Sequence, residues 1–352
     1  MKKLITILLL LTLITLIGCN NQETIKLGVT LPLTGSLAFI GESSQEAMNL
    51  AAEEFNTNSD IKIELIFEDD MFEPSKAINN VNKLININDV NAIISLGSPV
   101  GTVIAPIAQE NNILHVGIAS ADIATLGSLN FNHWTPPKSQ AKKLVEKLNE
   151  DNITKISVIT MNQEGGIAIR NEVFNELEKN NIRVLLEEKF TQGEKDFKTI
   201  WNKIKESDPE IVFFSAISPE FELILKQRIE LGLDIPVVTI ESPDYTDEPE
   251  LYNDNWFINA AEPTEEFKDK FESEFGNAPR VFSGNAYDIV KVLGQIFVEK
   301  DNLIGSEIAA TKLMELDQFK GAMGSFYVDS EGTFVTEAIT KKMVDGKSIT
   351  LE

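Results

Sequence analysis

The chain has 352 residues, with 55 Asp and Glu against 31 Lys and Arg, and a formal net charge of −24. That acidity opposes binding to nucleic acid or anionic lipid, and a length well beyond the about 100–200 residues of a typical domain favours two lobes. A single cysteine, Cys19, excludes an intrachain disulfide, so the packed core must hold the fold alone.

The N-terminus reads as an export signal. Lys2 and Lys3 precede an apolar run, Leu4 to Ile17, that is shorter than the about 20 residues a bilayer-spanning helix needs. The basic start, the short apolar core and the small Gly18 suit a cleaved leader over residues 1–18. "LIGC" at Leu16–Cys19 resembles a lipoprotein box, which would make Cys19 the lipidated first residue and residues 19–24 a polar tether. An uncleaved membrane anchor is the alternative, and both place the remainder outside the membrane.

From Thr24 onward, short β-rich runs alternate with segments of helical period, the pattern of parallel sheets flanked by helices. Strands are expected at Ile25–Leu31, Ile61–Phe67, Ala92–Leu96, Ile113–Ile118, Ile156–Thr160, Arg183–Glu187, Ile211–Ser215, Pro236–Ile240 and Trp256–Ala260. Helices are expected between them, among them Glu42–Asn56, Pro74–Asn86, Thr102–Glu110, Lys138–Asn149 and Ile167–Asn180. Pro136 and Pro137 in "NFNHWTPPKSQ" interrupt the alternation and mark a crossing between lobes. After Ala261 come helical segments without intervening strands. The tail, Ala322–Asp329 and Thr333–Val344 about "SEG", reads as a β-hairpin.

Nothing announces catalysis or a cofactor. The only histidines, His115 and His133, lack the Cys or carboxylate spacing of a metal site and read as structural. No H-E-x-x-H, P-loop, G-x-G-x-x-G or G-x-S-x-G is present.

In open α/β sheets ligands gather beyond the carboxyl ends of the strands, which singles out three turns. "SLGSPVGT" (Ser95–Thr102) leads from a strand into a helix, so Ser98 either caps a turn or joins free amides in an anion site. "GIASAD" (Gly117–Asp122) adds the Ser120 hydroxyl, with Asp122 either capping the next turn or facing a cation. "TIESPDY" (Thr239–Tyr245) sets Glu241 at the mouth of the other lobe, as an ammonium partner or a plain surface carboxylate. Together they outline a site for a small zwitterion gripped between lobes.

Five segments in order, "IKLGVTLPLTGSLAFIGESSQEAMNLAAEEFN", "FEDDMFEPSKAINNVNKLI", "FTQGEKDFKTIWNKIKESDPEIVFF", "SPEFELILKQRIELGL" and "GNAYDIV", resemble the leucine/isoleucine/valine-type periplasmic solute-binding proteins of ABC transporters. The likeness covers nearly all of the mature chain. It implies two hinged Rossmann-like lobes with parallel sheets flanked by helices, the type I binding-protein architecture, crossed three times by the chain. We expect residues 25–135 plus 263–318 in the N-terminal lobe and 136–262 plus 319–352 in the C-terminal lobe.

The resemblance further implies a non-enzymatic monomer that uses no cofactor, captures an amino acid or related zwitterion or carboxylate, and delivers it to a membrane permease. A ligand-binding sensory module acting through a membrane partner is the alternative. By this likeness Ser98, Ala119 and Ser120 hold the ligand carboxylate and Glu241 its ammonium group. Tyrosines of the family pocket fall at Ile40, Gly165 and Ile217, and a cysteine pair of some members at Phe72 and Gly97, so the pocket wall departs from the family pattern at those positions.

Overall fold

The computed structural model describes residues 23–241, 243, 246, 248–300 and 302–351. The leader expected over residues 1–18, and Cys19, lie outside them. Among the described residues no helix is long and apolar enough to cross a membrane.

The first lobe opens with β1 (Thr24–Leu31), α1 (Ala38–Asn58), β2 (Lys62–Asp69), α2 (Pro74–Asn86), β3 (Ala92–Leu96), α3 (Ser98–Glu110), β4 (Leu114–Ile118) and β5 (Asn130–Asn132). Its five strands are parallel in the order β2-β1-β3-β4-β5. Alternate side chains leave opposite faces of a strand, and β3 uses both. Ile94 packs with α1 in one core, and Ile93 packs with Val81 and Leu84 of α2 and Ile104 of α3 in another. A strand buried on both faces reads as a continuous apolar run, as "AIISL" does.

The chain crosses and builds the second lobe: α4 (Pro137–Glu150), β6 (Lys155–Met161), α5 (Glu164–Lys179), β7 (Arg183–Phe190), α6 (Lys198–Ser207), β8 (Ile211–Ser215), α7 (Glu220–Glu230), β9 (Val237–Thr239) and β10 (Trp256–Asn259). The sheet order is β7-β6-β8-β9, again parallel. Val158 and Phe213 face α4 and α5, while Ile159 and Phe214 face Trp201 of α6 and Phe221 of α7.

A second crossing returns the chain to the first lobe for α8 (Glu265–Phe275), α9 (Ser283–Ile296), a small hairpin of β11 (Val298–Glu299) and β12 (Asn302–Leu303), and α10 (Ser306–Met314). A three-stranded meander follows, β13 (Phe319–Gly321), β14 (Gly324–Val328) and β15 (Phe334–Val335). The last strands, β16 (Ile339–Val344) and β17 (Lys347–Thr350), pair antiparallel with each other, and β16 also pairs antiparallel with β10 of the second lobe.

Three expectations need correction here. The helical segments after Ala261 are not free of strands, because the hairpin of β11 and β12 separates α9 from α10. The boundary expected after residue 318 lies at 336–338, because Phe319, Phe326 and Phe334 pack into the first lobe's core with Leu114, Phe131 and Ala286. The hairpin about "SEG" does form, Tyr327 facing Val335 and Val328 facing Phe334. Its second arm, expected as one run to Val344, is cut by the third crossing into β15 and β16, which belong to different lobes.

The three crossings are bonded to one another. Thr135 Oγ1 lies 2.6 Å from Thr336 Oγ1 and accepts the Ala261 N–H at 3.3 Å, so one hydroxyl touches all three connecting segments. His133, beside it, is fully buried, stacked on Phe334 with ring centroids 4.6 Å apart, and its Nδ1 lies 3.0 Å from Asn285 Nδ2. His115 is buried between Ser95 Oγ (2.8 Å) and Asn130 Oδ1 (2.9 Å). Burial lowers both histidines, His115 to about 4 and His133 to about 3, which keeps them neutral. Both therefore sit in structural hydrogen-bond networks.

Candidate functional site

In each lobe the strand order reverses at one point, between β1 and β3 in the first lobe and between β6 and β8 in the second. The crevice beyond the carboxyl ends of the strands at such a point is where ligands gather. Here the two crevices face each other across a cavity of ≈ 70 Å³. Its lining includes Ile40, Gly97, Ser98, Ala119, Ser120, Gly165, Ile217 and Glu241, eight of the positions singled out in the sequence.

From the first lobe, β3 ends at Leu96 and the chain turns through Gly97 at φ +92° into α3, whose first residues are Ser98 and Pro99. The left-handed φ suits glycine, and so does the crowding. A Cβ on Gly97 would stand 2.2 Å from Cε2 of Phe72. Phe72 and Gly97, the pair of positions aligned with the family's cysteines, are thus in contact, with an aromatic ring lying over a bare backbone. Asp70 anchors the turn that carries Phe72: its carboxylate accepts from Phe72 N at 2.7 Å and Thr30 Oγ1 at 2.8 Å. Burial pushes Asp70 up to about 6.

Ser98 accepts the Ala121 N–H at 3.0 Å, which fixes the hydroxyl oxygen and leaves its O–H to donate. At the start of α3 the Gly97 N–H is bonded to the Ile118 carbonyl and Pro99 has no N–H, which leaves the Ser98 and Val100 N–H groups without an intrahelical acceptor, and the helix dipole adds partial positive charge there. Ala119 differs from expectation. Its N–H is taken by Asn132 Oδ1 at 3.1 Å and its carbonyl by Asn132 Nδ2 at 2.8 Å, so its main chain is committed to the fold and it serves as wall. Asp122 is exposed and outside the lining, and its carboxylate accepts a backbone hydrogen bond from Thr125 in the adjoining turn, the capping role rather than the cation-facing one.

From the second lobe comes Glu241, two residues past β9 and 2% exposed. Its Oε1 accepts from Trp134 Nε1 at 2.6 Å and from Gln140 Nε2, and its Oε2 accepts from Ser120 Oγ, in the opposite lobe, at 3.2 Å. The plain surface role considered for this carboxylate is therefore excluded. Gly165, at the start of α5, meets the first lobe directly: a Cβ there would lie 2.9 Å from Ser98 Oγ and 3.9 Å from Ser120 Cβ. A tyrosine at this position would occupy the space the lobes now share.

Phe72, Trp134, Gln140 and Phe282 were not identified from sequence as parts of the site, although Phe72 had been noted for the missing disulfide. Trp134 and Phe282 are packed edge to face, with centroids 4.6 Å apart. Backbone strain collects here too. Most non-glycine residues with left-handed φ are Asn, Asp or Lys; four are not, and of these Met71 (+53°) is exposed and outside the lining whereas Phe72 (+62°), Glu241 (+65°) and Phe282 (+72°) line the cavity.

Among the described residues no group of three or more His, Cys, Asp or Glu side chains could hold a metal ion. The site offers donors toward an anion on one lobe, a buried carboxylate on the other, and apolar walls from Leu37, Ile40, Phe72, Ile217 and Phe282.

This arrangement has relatives. The Leu/Ile/Val-binding protein BraC3 of Rhizobium johnstonii is 23% identical over 344 residues, covering 93% of this chain and 94% of that protein. The crystal structure of the leucine-binding protein LivK from Thermotoga maritima superposes with a TM-score of 0.85 at 20% identity, covering 93% of this chain and 98% of that one. An ABC-transporter solute-binding protein of R. palustris in complex with benzoate gives 0.83 at 18% identity, covering 94% and 96%. These are substrate-binding proteins rather than enzymes. A match of the periplasmic binding protein family over residues 24–345 establishes that the chain belongs to that family of extracytoplasmic binding proteins.

Proposed function

We propose that this protein captures a small amino acid, or a closely related zwitterion, between its lobes and presents it to the permease of an ABC importer. The observation that carries the reading is Glu241, a buried carboxylate aimed across the cavity at Ser120 and the Ser98 turn. A ligand ammonium group would meet Glu241 Oε2. The ligand carboxylate would meet the Ser98 hydroxyl and the amino end of α3. A ligand such as benzoate, bound by the R. palustris protein, carries no ammonium group to meet Glu241.

Apolar walls and a cavity of ≈ 70 Å³, well under the about 300–1,000 Å³ of drug-sized pockets, support a compact aliphatic side chain. The working unit is, in this reading, a monomer. In this reading the chain is held at the outer face of the membrane by lipid on Cys19.

Calorimetry of the mature protein against the twenty amino acids, benzoate and neutral sugars tests the proposal. We expect binding of small aliphatic amino acids and its loss in Glu241→Gln. Binding of benzoate or a sugar with no response to any amino acid would overturn it.

A further inference from the structure

Behind the ligand cavity lies a larger one of ≈ 510 Å³, also between the lobes. It is bounded by Asn285 and Met323 of the first lobe, Met343 and Ser348 of the second, and Ala260–Glu262 of the second crossing. Phe282 borders both cavities, and Trp134, its edge-to-face partner, borders the larger one while its indole N–H holds Glu241. The Phe282 ring is thus a partition between a small, mostly apolar chamber and a roomy polar one.

Phe282 is placed there at a local cost. It caps α9 with φ +72°, a conformation unfavourable for a bulky side chain, and nothing about starting a helix calls for phenylalanine. Strain retained at a cavity wall points to a role in that cavity.

We propose that Phe282 sets the upper length of ligand this protein accepts, and that without its ring the site admits amino acids with long, cation-tipped side chains. The inference rests on the reading of the first cavity as an amino-acid site. The tip chemistry follows from the second cavity's charges. Four carboxylates, Glu262, Glu265, Asp269 and Glu272, line the cavity against three cations, Lys268, Arg280 and Lys341; both lysines are paired with Glu262, while Asp269, Glu272 and Arg280 make no ion pair among the described residues. A tail entering past residue 282 therefore meets a lining with one net negative charge.

The test is calorimetry with L-alanine, L-valine, L-lysine and L-arginine on wild type, Phe282→Gly, Phe282→Leu and Phe275→Ala. Glycine suits the left-handed φ, so Phe282→Gly removes the ring without straining the backbone. Leucine retains part of the bulk. Phe275 packs against the first lobe's core but borders neither cavity, and controls for general loosening. We expect wild type to bind alanine or valine at least tenfold more tightly than arginine, Phe282→Gly to bring the two within about threefold, Phe282→Leu to fall between, and Phe275→Ala to leave the ratio unchanged. An unchanged ratio in a folded Phe282→Gly, an equal shift in Phe275→Ala, or wild type that already binds arginine as tightly as valine would overturn the proposal. Wild type that binds none of the four would overturn the amino-acid reading itself, and this inference with it.

Discussion

Trp134 Nε1 lies 2.6 Å from Glu241 Oε1, a bond spanning 107 residues of sequence that joins the first crossing segment to the buried carboxylate of the second lobe. Trp134 is the residue before Thr135, whose hydroxyl links the three crossings. The charged side chain of the site is therefore oriented by the hinge itself.

Trp134→Phe keeps the ring but deletes this donor. Hydrogen bonds to charged groups contribute about 1.5–3 kcal/mol, so urea denaturation should show a loss in that range, and calorimetry a ligand affinity about tenfold weaker. Gln140 and Ser120 would still hold the carboxylate, so binding should survive. Unchanged affinity would show that the orientation of Glu241 does not depend on the indole.

Gly165→Ala separates closure from folding. The added methyl would sit 2.9 Å from Ser98 Oγ, inside normal contact distance, while in the separated lobes it has the higher helix propensity at the start of α5. The apo melting temperature should hold or rise slightly. The ligand-induced rise should shrink, corresponding to an affinity about 10–100-fold weaker, and Gly165→Val should shrink it further without raising the apo melting temperature beyond that of Gly165→Ala. A ligand-induced shift equal to wild type would mean that the lobes do not need to meet this closely.

The strands were legible because burial on both faces leaves a plain signature: "AIISL" and "IVFFS" are apolar throughout and matched β3 and β8 residue for residue. The third crossing was not, because Val335 to Ile339 contains neither glycine nor proline and runs between two segments that are each β-like. The commitment of Ala119 to Asn132 was hidden because β5, which presents Asn132, is only three residues long. Trp134 and Phe282 could not be read as site residues, since their role depends on neighbours far away in sequence. Their only signal was Trp134 standing just before the Pro-Pro break.

Asp70 gives the protein a measurable pH dependence. Its pKa in the fold is raised from 3.8 to about 6 by burial, so its contribution to stability is fully present below pH 3.8 and is lost as pH rises through 6. Asp70→Asn can keep both hydrogen bonds and stays neutral. It should stabilise the protein relative to wild type by up to about 3 kcal/mol at pH 7, with the advantage fading toward pH 4. Urea titrations of both proteins at pH 4, 5.5 and 7 check this, and a pH-independent difference would refute it.

His115 and His133 act in the opposite sense. Their folded values, about 4 and about 3, lie below the ordinary value of 6.5, so they contribute stability above pH 6.5 that is lost as pH falls toward those values. Asp288, raised by burial to about 7, behaves as Asp70 does. Between pH 4 and 6 the two carboxyls and the two imidazoles oppose each other. Replacing Asp288 with Asn should therefore steepen the wild-type loss of stability on acidification over that range, as read by urea midpoints.

Cys19→Ser tests the anchor. In cells that process lipoproteins, the wild-type chain should partition with the membrane fraction and the variant should be released in soluble form. Equal partitioning would remove the lipid from the account.

The side chains of Phe319, Phe326 and Phe334, near the carboxyl terminus, fill space beside residues laid down some two hundred positions earlier. Neither half of the molecule is thus a contiguous stretch that could mature by itself. A fragment ending before residue 319 would expose a greasy hollow next to Phe131, and even the amino-terminal half must wait for nearly the last of the polypeptide before its interior is dry. Assembly is consequently dominated by contacts between distant positions, a topology that folds slowly and leaves the newly delivered chain open to proteases until its final strands arrive.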